Sequence, residues 1–241
     1  MTETILETHR LTWQKKPILR ELYHHYYQRM VSQLKPGMTL EIGGGSGNLK
    51  SYLNDVISTD IVATPWLDTT CDAQALPFQS LCFDNIVMLD VLHHIERPYR
   101  FFKEASRTLK PGGRIILLEP AITKLSWFFY HFLHPEPVDL TANPLDDAPL
   151  TANRLPFDAN QAIPELLFGQ FLPEFNQVFP ELKVSRKDYL ALASYPLSGG
   201  FRWWSLIPTL ALPALLAIEK WLEPLLAQYL GFRMLVVLEK Q

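Results

Sequence analysis

Three short runs in this chain have residue types and spacings that could do chemistry. The first, Glu41 to Gly47 (EIGGGSG), places four glycines and a carboxylate between the apolar run Thr39 to Ile42 and residues Leu49 to Leu53, whose apolar positions fall at helical spacing. Glycines in such a turn permit positive φ and let backbone N–H groups approach a nucleotide-like ligand at a helix N-terminus. The run fits a dinucleotide equally well, and it also fits a plain tight turn. Asp60 ends the next apolar run, 17 residues after Gly43. A carboxylate there can accept from both hydroxyls of a ribose, or it can cap a turn. The second run is the histidine pair His93-His94 behind Phe83 to Leu89, and histidine has the unperturbed pKa of a general base. Packing against a backbone group competes with that role. The third is His131, His134, Glu136 and Asp139 (HFLHPEPVD), which could bind hydroxyls, act as a base or coordinate a cation through mixed nitrogen and oxygen ligands. A solvated loop is its simplest account, and no metal site is assigned.

These residues need elements to hold them. Leu22, Tyr23, Tyr26, Tyr27 and Met30 fall near spacings of three and four, which predicts an entry helix within residues 1–36, stopped by Lys35-Pro36-Gly37. Strands follow at Thr39 to Ile42, Val56 to Asp60 and Phe83 to Leu89. A helix over Tyr99 to Leu109, a turn at Lys110 to Gly113 and a strand over Arg114 to Leu118 come next. Strands alternating with helices imply a mostly parallel, doubly wound α/β sheet, with ligands at the C-terminal edges of its strands. Beyond Glu119 the periodicity lapses, and nine of the 19 prolines lie between Pro120 and Pro180, so residues 121–182 read as a lid or substrate insertion. Within it, Asp158 or Asn160 reads as a helix cap, while Tyr130 and Tyr195 read as half-buried packing residues. A late strand over Lys183 to Tyr189 and a last one over Phe232 to Leu238 complete the pattern.

The length of 241 residues suits one domain with an appendage, and 48% hydrophobic against 20% charged residues excludes disordered and collagen-like classes. With 22 basic and 25 acidic side chains the net charge is −3, so nucleic acid is not the expected partner. Two cysteines 11 residues apart, with no CxxC pairing, indicate a reducing compartment, and the charged N-terminus has no apolar secretory core. A cytoplasmic location follows as the expectation.

In order along the chain, EIGGGSG, the Asp60 acid, DAQALPF, FDNIVMLDVLHHI and LKPGGRIILLEP resemble the core of the class I S-adenosylmethionine-dependent methyltransferases, type 11 in particular, over about 80 residues from Glu41 to Glu119. FRMLVVLEK is similar to that family's antiparallel last strand. The resemblance implies a single Rossmann-like domain with a seven-stranded, mostly parallel sheet and a cofactor-binding core over residues 37–120. It implies that Gly43, Gly45 and Gly47 wrap the methionine and ribose of the cofactor S-adenosyl-L-methionine and that Glu41 orients its amino group. Asp60 would hold the ribose, Ile61 would lie on the adenine, and Asp72 with Ala73 would meet the adenine edge. Leu89 and Asp90 would line the methyl-donor end. Gly44 stands where the family more often has a bulkier residue, which should loosen the turn without abolishing binding. A nicotinamide-dependent oxidoreductase would explain the first two motifs but not the LKPGG turn and its strand. Transfer to a hydroxyl would need a base, for which His93, His94 and His134 are the candidates; carbon or nitrogen acceptors are less favoured.

Residues 190–231 separate the last two strands by far more than a hairpin needs. Trp203 to Ile218 carries no charge over sixteen residues, too few for the roughly 20 that span a bilayer, and Pro208 and Pro213 interrupt it. Two short helices lying in a membrane interface through residues 201–230 fit best, with Trp203, Trp204 and Trp221 at headgroup depth and Arg202 and Lys220 near anionic lipid. Internal packing and a homodimer interface are the competing accounts. The expected acceptor is therefore small, hydrophobic or lipid-linked, and a peripheral place on the inner membrane face is compatible with the cytoplasmic expectation. A non-catalytic scaffold of the same fold is the alternative.

Overall fold

The computed structural model describes residues 2–241 and contains a seven-stranded sheet. Its strands are β1 (Thr39–Ile42), β2 (Val56–Asp60), β3 (Thr69–Thr70), β4 (Phe83–Leu89), β5 (Leu109–Pro120), β6 (Leu182–Leu190) and β7 (Arg233–Lys240). Their order is β3-β2-β1-β4-β5-β7-β6, parallel throughout except that β7 runs antiparallel to both its neighbours. This is the doubly wound sheet read from the sequence, with β3 too short to leave a sequence signal.

Both faces of the sheet are covered, and the alternation of side chains along each strand shows it. Ile115 and Leu117 of β5 and Met234 and Val236 of β7 point to one face, where they meet Phe101, Phe102, Phe168 and Phe175. Ile116, Leu118, Leu235 and Val237 point to the other, against Leu19, Leu22, Tyr23, Tyr26 and Met30. The first face is covered by α3 (Pro98–Thr108), α5 (Ile163–Leu167) and α6 (Leu172–Val178). The second carries α1 (Thr2–Lys15), α2 (Pro17–Val31), α7 (Ser194–Ser198) and α8 (Leu212–Leu230). Helix α4 (Lys124–Leu133) packs beside α8.

Four expectations change. The entry helix is two helices, because Pro17 cannot donate into a continuous ladder and starts α2 instead. After the glycine turn there is only one 3₁₀ turn, Leu49–Ser51, since few residues separate Gly47 from β2 and of this turn only Leu49 is buried. The LKPGG segment is not a turn before β5 but its opening, with Gly112 at φ +74° where the register against β4 slips. Neither Asp158 nor Asn160 caps α5, whose N-cap is Ala162; Asp158 accepts from Leu155 N and Asn160 from Asp139 N and Ala162 N.

Candidate active site

The C-terminal edges of β1, β2 and β4, with Arg233 at the start of β7, open into one cavity of about 990 Å³, at the upper end of the roughly 300–1,000 Å³ typical of small-molecule sites. At its floor the chain leaves β1 through Gly43 (φ +69°) and Gly45 (φ +51°), which both line the cavity. A side chain at Gly43 would collide with Val91, whereas one at Gly45 would meet nothing closer than Gly43 O at 3.9 Å, so Gly45 leaves open space for a ligand. Gly47 does not face the cavity: its Cα is turned toward Trp66, whose Nε1 donates to Gly45 O at 2.8 Å and fixes the loop. Gly44 is not loose space either, because Leu67 and the Glu41 carboxylate already fill the position a side chain would take.

Asp60 accepts from Gly45 N and Val62 N, both at 3.0 Å, and burial pushes its carboxyl above the usual range against those two bonds. Glu41 is buried, accepts a short hydrogen bond from Ser58 Oγ, and is pushed up to about 7 by burial. Ile61, Asp72 and Ala73 line the same end, with Asp72 held by Gln74 N at 2.8 Å. Leu89 and Asp90 lie at the far end of this floor.

Asp90 sits at φ +59°, a conformation few side chains adopt, and two partners hold it there. Arg233 Nη1 donates to Oδ1 at 2.5 Å and Tyr23 OH to Oδ2 at 3.1 Å. The Arg233 guanidinium, almost wholly buried, lies 3.9 Å from the centroid of the Tyr195 ring. Behind His93, the buried Glu119 accepts from Val91 N, Leu92 N and His93 Nδ1 at 2.9, 2.8 and 2.7 Å. Burial pushes Glu119 up to about 7 and His93 down to about 3, leaving the imidazole neutral with Nδ1–H donated and the Nε2 lone pair free. Nε2 is 3.7 Å from Glu136 Oε2.

The structure brings together His93, His94, His134 and Glu136, with burial pushing His94 down to about 3 and His134 to about 4. It separates the other two members of the HFLHPEPVD run: His131 stacks on Trp127 outside, and Asp139 is exposed and bonded to Thr141. Tyr130 is structural, its OH donating to Phe232 O at 2.9 Å. Gln161 is buried and bonded to Glu136. Glu119 and Arg233 escape a local reading, because each sits at the end of an otherwise apolar strand. A charge in that place is the signal that could have found them.

S-adenosylmethionine fits this floor. The left-handed glycines leave a cradle, Asp60 keeps acceptor capacity beside it, and apolar Ile61 and Ala73 line the same cavity. Residues 40–117 match the family profile described as a methyltransferase domain. The chain is 28% identical to a protein of Bordetella parapertussis named as the ubiquinone/menaquinone biosynthesis C-methyltransferase UbiE, over 42% of this chain and 50% of the relative. It thus spans about half the length of the curated relatives it matches. Among solved structures it is similar to a SAM-dependent methyltransferase from Archaeoglobus fulgidus (TM-score 0.54, 16% identity, 92% of this chain and 94% of that one). It is also similar to geranyl diphosphate C-methyltransferase from Streptomyces coelicolor (TM-score 0.51, 11% identity, 92% and 80%). The ordered motifs, the strand order and these likenesses agree: the chain carries a methyltransferase domain over residues 40–117 on the fold of the S-adenosylmethionine-dependent methyltransferases.

Proposed function

We propose that this chain methylates a hydroxyl on an acceptor with a long apolar portion, which it meets at a membrane surface. One observation carries the reading: a single cavity runs from Gly43, Gly45 and Asp60, past His93, to Phe129, Leu133, Trp204 and Leu206. That apolar end adjoins a surface built inside out. On α8 the buried face holds Glu219, 3% exposed, which accepts from Ala193 N, Ser194 N and Ser194 Oγ, and Glu223, which pairs with Arg29 at 2.6 Å. Its outward face carries Ile218, Trp221 (74% exposed) and Leu225 (65%), with Trp203 (92%) and Leu210 (95%) from the preceding loop. Phe128 and Phe132 of the adjacent α4 extend the patch. Water is a poor partner for such a face, and a lipid interface is a good one. Among the described residues no helix is long and apolar enough to cross a membrane, so the contact would be peripheral.

When bound, the cofactor supplies a sulfonium methyl that is already electrophilic, and the protein has to position a nucleophile and exclude water. Gly43 and Gly45 present backbone groups to it, Asp60 accepts from the ribose, Ile61 and Ala73 flank the adenine with Asp72 at its edge, and Glu41 faces the amino group. Leu89 and Asp90 close the reacting end, with Arg233 and Tyr23 fixing the Asp90 carboxylate. His93 Nε2 takes the acceptor proton, while Glu119 fixes the tautomer and stabilises the imidazolium that forms. His94 and His134 complete a wall of neutral imidazoles around the acceptor oxygen. The names of the relatives, a quinone-pathway C-methyltransferase and a geranyl diphosphate C-methyltransferase, favour a second reading, a ring or chain carbon of an isoprenoid-type acceptor. It uses the same base.

Calorimetric titration with S-adenosylhomocysteine, with and without anionic vesicles, tests the proposal. Micromolar binding is expected, weakened about 100-fold in Asp60→Ala by the loss of charge-assisted hydrogen bonds. His93→Ala should bind the ligand unchanged and lose roughly 10²–10⁴ in turnover once an acceptor is in hand. No binding by the intact chain would sink the assignment.

A further inference from the structure

One cluster of side chains lining the cavity has ligand atoms that converge. His93 gives Nδ1 to Glu119, which leaves Nε2 facing Glu136 Oε2 at 3.7 Å. His94 packs its ring 4.2 Å from that of His93, centroid to centroid, and its Nδ1 is buried without a partner. Gln161, 2% exposed, bonds Glu136 through its Nε2 and leaves Oε1 buried and unpaired. One ligand atom from each of His93, His94 and Glu136 lies within 4.8 Å of the other two. A buried polar atom left unpaired is costly, and the unpaired Nδ1 of His94 on one of three residues whose ligand atoms converge is a pattern that a bound species resolves.

We propose that His93 Nε2, His94 Nδ1 and Glu136 form a site for a borderline divalent cation of the Zn²⁺ or Co²⁺ type. Two imidazoles and one carboxylate are the donor set such ions select over Mg²⁺ or Ca²⁺, which prefer oxygen alone. The contact from Glu119 to His93 Nδ1 is the carboxylate–histidine arrangement that orients metal-bound imidazoles. Bond lengths of about 2.0–2.2 Å put neighbouring ligand atoms about 3.3 Å apart, so the observed spacing needs modest contraction. Three protein ligands leave a position open toward the cavity, where an acceptor oxygen fits. That last role rests on the methyl-transfer reading and takes the place of His93 as the base, since a metallated Nε2 has no lone pair left for a proton; the binding site itself does not rest on it.

The chain, stripped with a chelator, is titrated with Zn²⁺ by calorimetry and with Co²⁺ by its visible absorption. One equivalent should bind, at least 10-fold more weakly in Glu136→Gln and in His94→Ala, and about 10–100-fold more weakly in Glu119→Gln. Each sample is also titrated with S-adenosylhomocysteine, which reports a folded cofactor floor independently of the cation. Glu136→Gln nearly preserves shape and serves if His94→Ala does not fold. Failure of the wild type to bind one equivalent while it binds the nucleoside, or binding indifferent to both substitutions, overturns the site. Cation binding without nucleoside binding upholds the site and overturns the methyl-transfer reading.

Discussion

Two regions of this molecule depart from the usual sorting of residues, in opposite directions. At the C-terminal edge of the sheet the protein buries charge: Glu41, Asp60, Glu119 and Arg233 are all nearly inaccessible. On α8 it exposes apolar side chains and turns acids inward. Helix α3 shows the ordinary plan, with Phe101, Phe102 and Ala105 inside and Lys103 outside. Both departures are costly, and they are met differently: the buried charges find partners within the chain, as Arg233 does in Asp90 and Glu119 in three donors, whereas the apolar side chains of α8 stay exposed.

The largest test falls on the buried charges. Arg233→Leu strands Asp90 without its ion pair and should lower the unfolding free energy by about 3–5 kcal/mol in urea titrations. A loss below about 1 kcal/mol would mean that the pair is not what holds Asp90 in its left-handed conformation. Glu41 offers a pH-dependent version. Its folded pKa of about 7 exceeds the ordinary 4.5, so its stabilising contribution is present below pH 4.5 and disappears as pH rises through 7. Glu41→Gln should therefore gain on the wild type over that window, by on the order of 3 kcal/mol at most. The neutral histidines slope the other way: His93, with a folded pKa of about 3 against 6.5, contributes stability above pH 6.5 that is lost as pH falls toward 3. Comparing each variant with the wild type at every pH separates the two.

Smaller effects belong to α8. Glu219→Gln weakens three hydrogen bonds into the start of α7 and should cost about 1–3 kcal/mol, measured in the same urea titrations. Trp221→Asp with Leu225→Asp should change stability by no more than about 0.5 kcal/mol per site, yet abolish co-sedimentation with anionic vesicles. If the double variant still sediments, or the wild type never does, the outward face serves another purpose.

How much of this could be read in advance follows from what is local. Strands β1, β2 and β4 declare themselves as apolar runs bounded by glycine, asparagine and aspartate, and the glycine turn needs no partner to be recognised. The helix expected after Gly47 failed because periodicity says nothing about how little chain remains before β2. The histidine pair was visible, but its protonation state was not, since it depends on Glu119 from another strand. Arg233 reaches Asp90 only because β7 enters the sheet between β5 and β6, pairing Arg233 with Pro120 and Leu190. Residues 201–230, expected as two short helices, hold one 3₁₀ turn and the single helix α8, because Pro213, which looks like a break in one dimension, stands in the first turn, where its missing N–H costs no helical bond.

The Lys16 ammonium, at the joint between the first two helices, donates to Gly200 O, Arg202 O and Trp204 O at 2.7, 2.8 and 2.8 Å. Those carbonyls belong to the loop that walls the apolar end of the cavity, and Tyr23 and Tyr27 of the next helix line the polar end. A minimal fragment begun at β1, the natural choice for anyone trimming to the recognisable motifs, would keep the glycine turn and lose one side of the room it opens into.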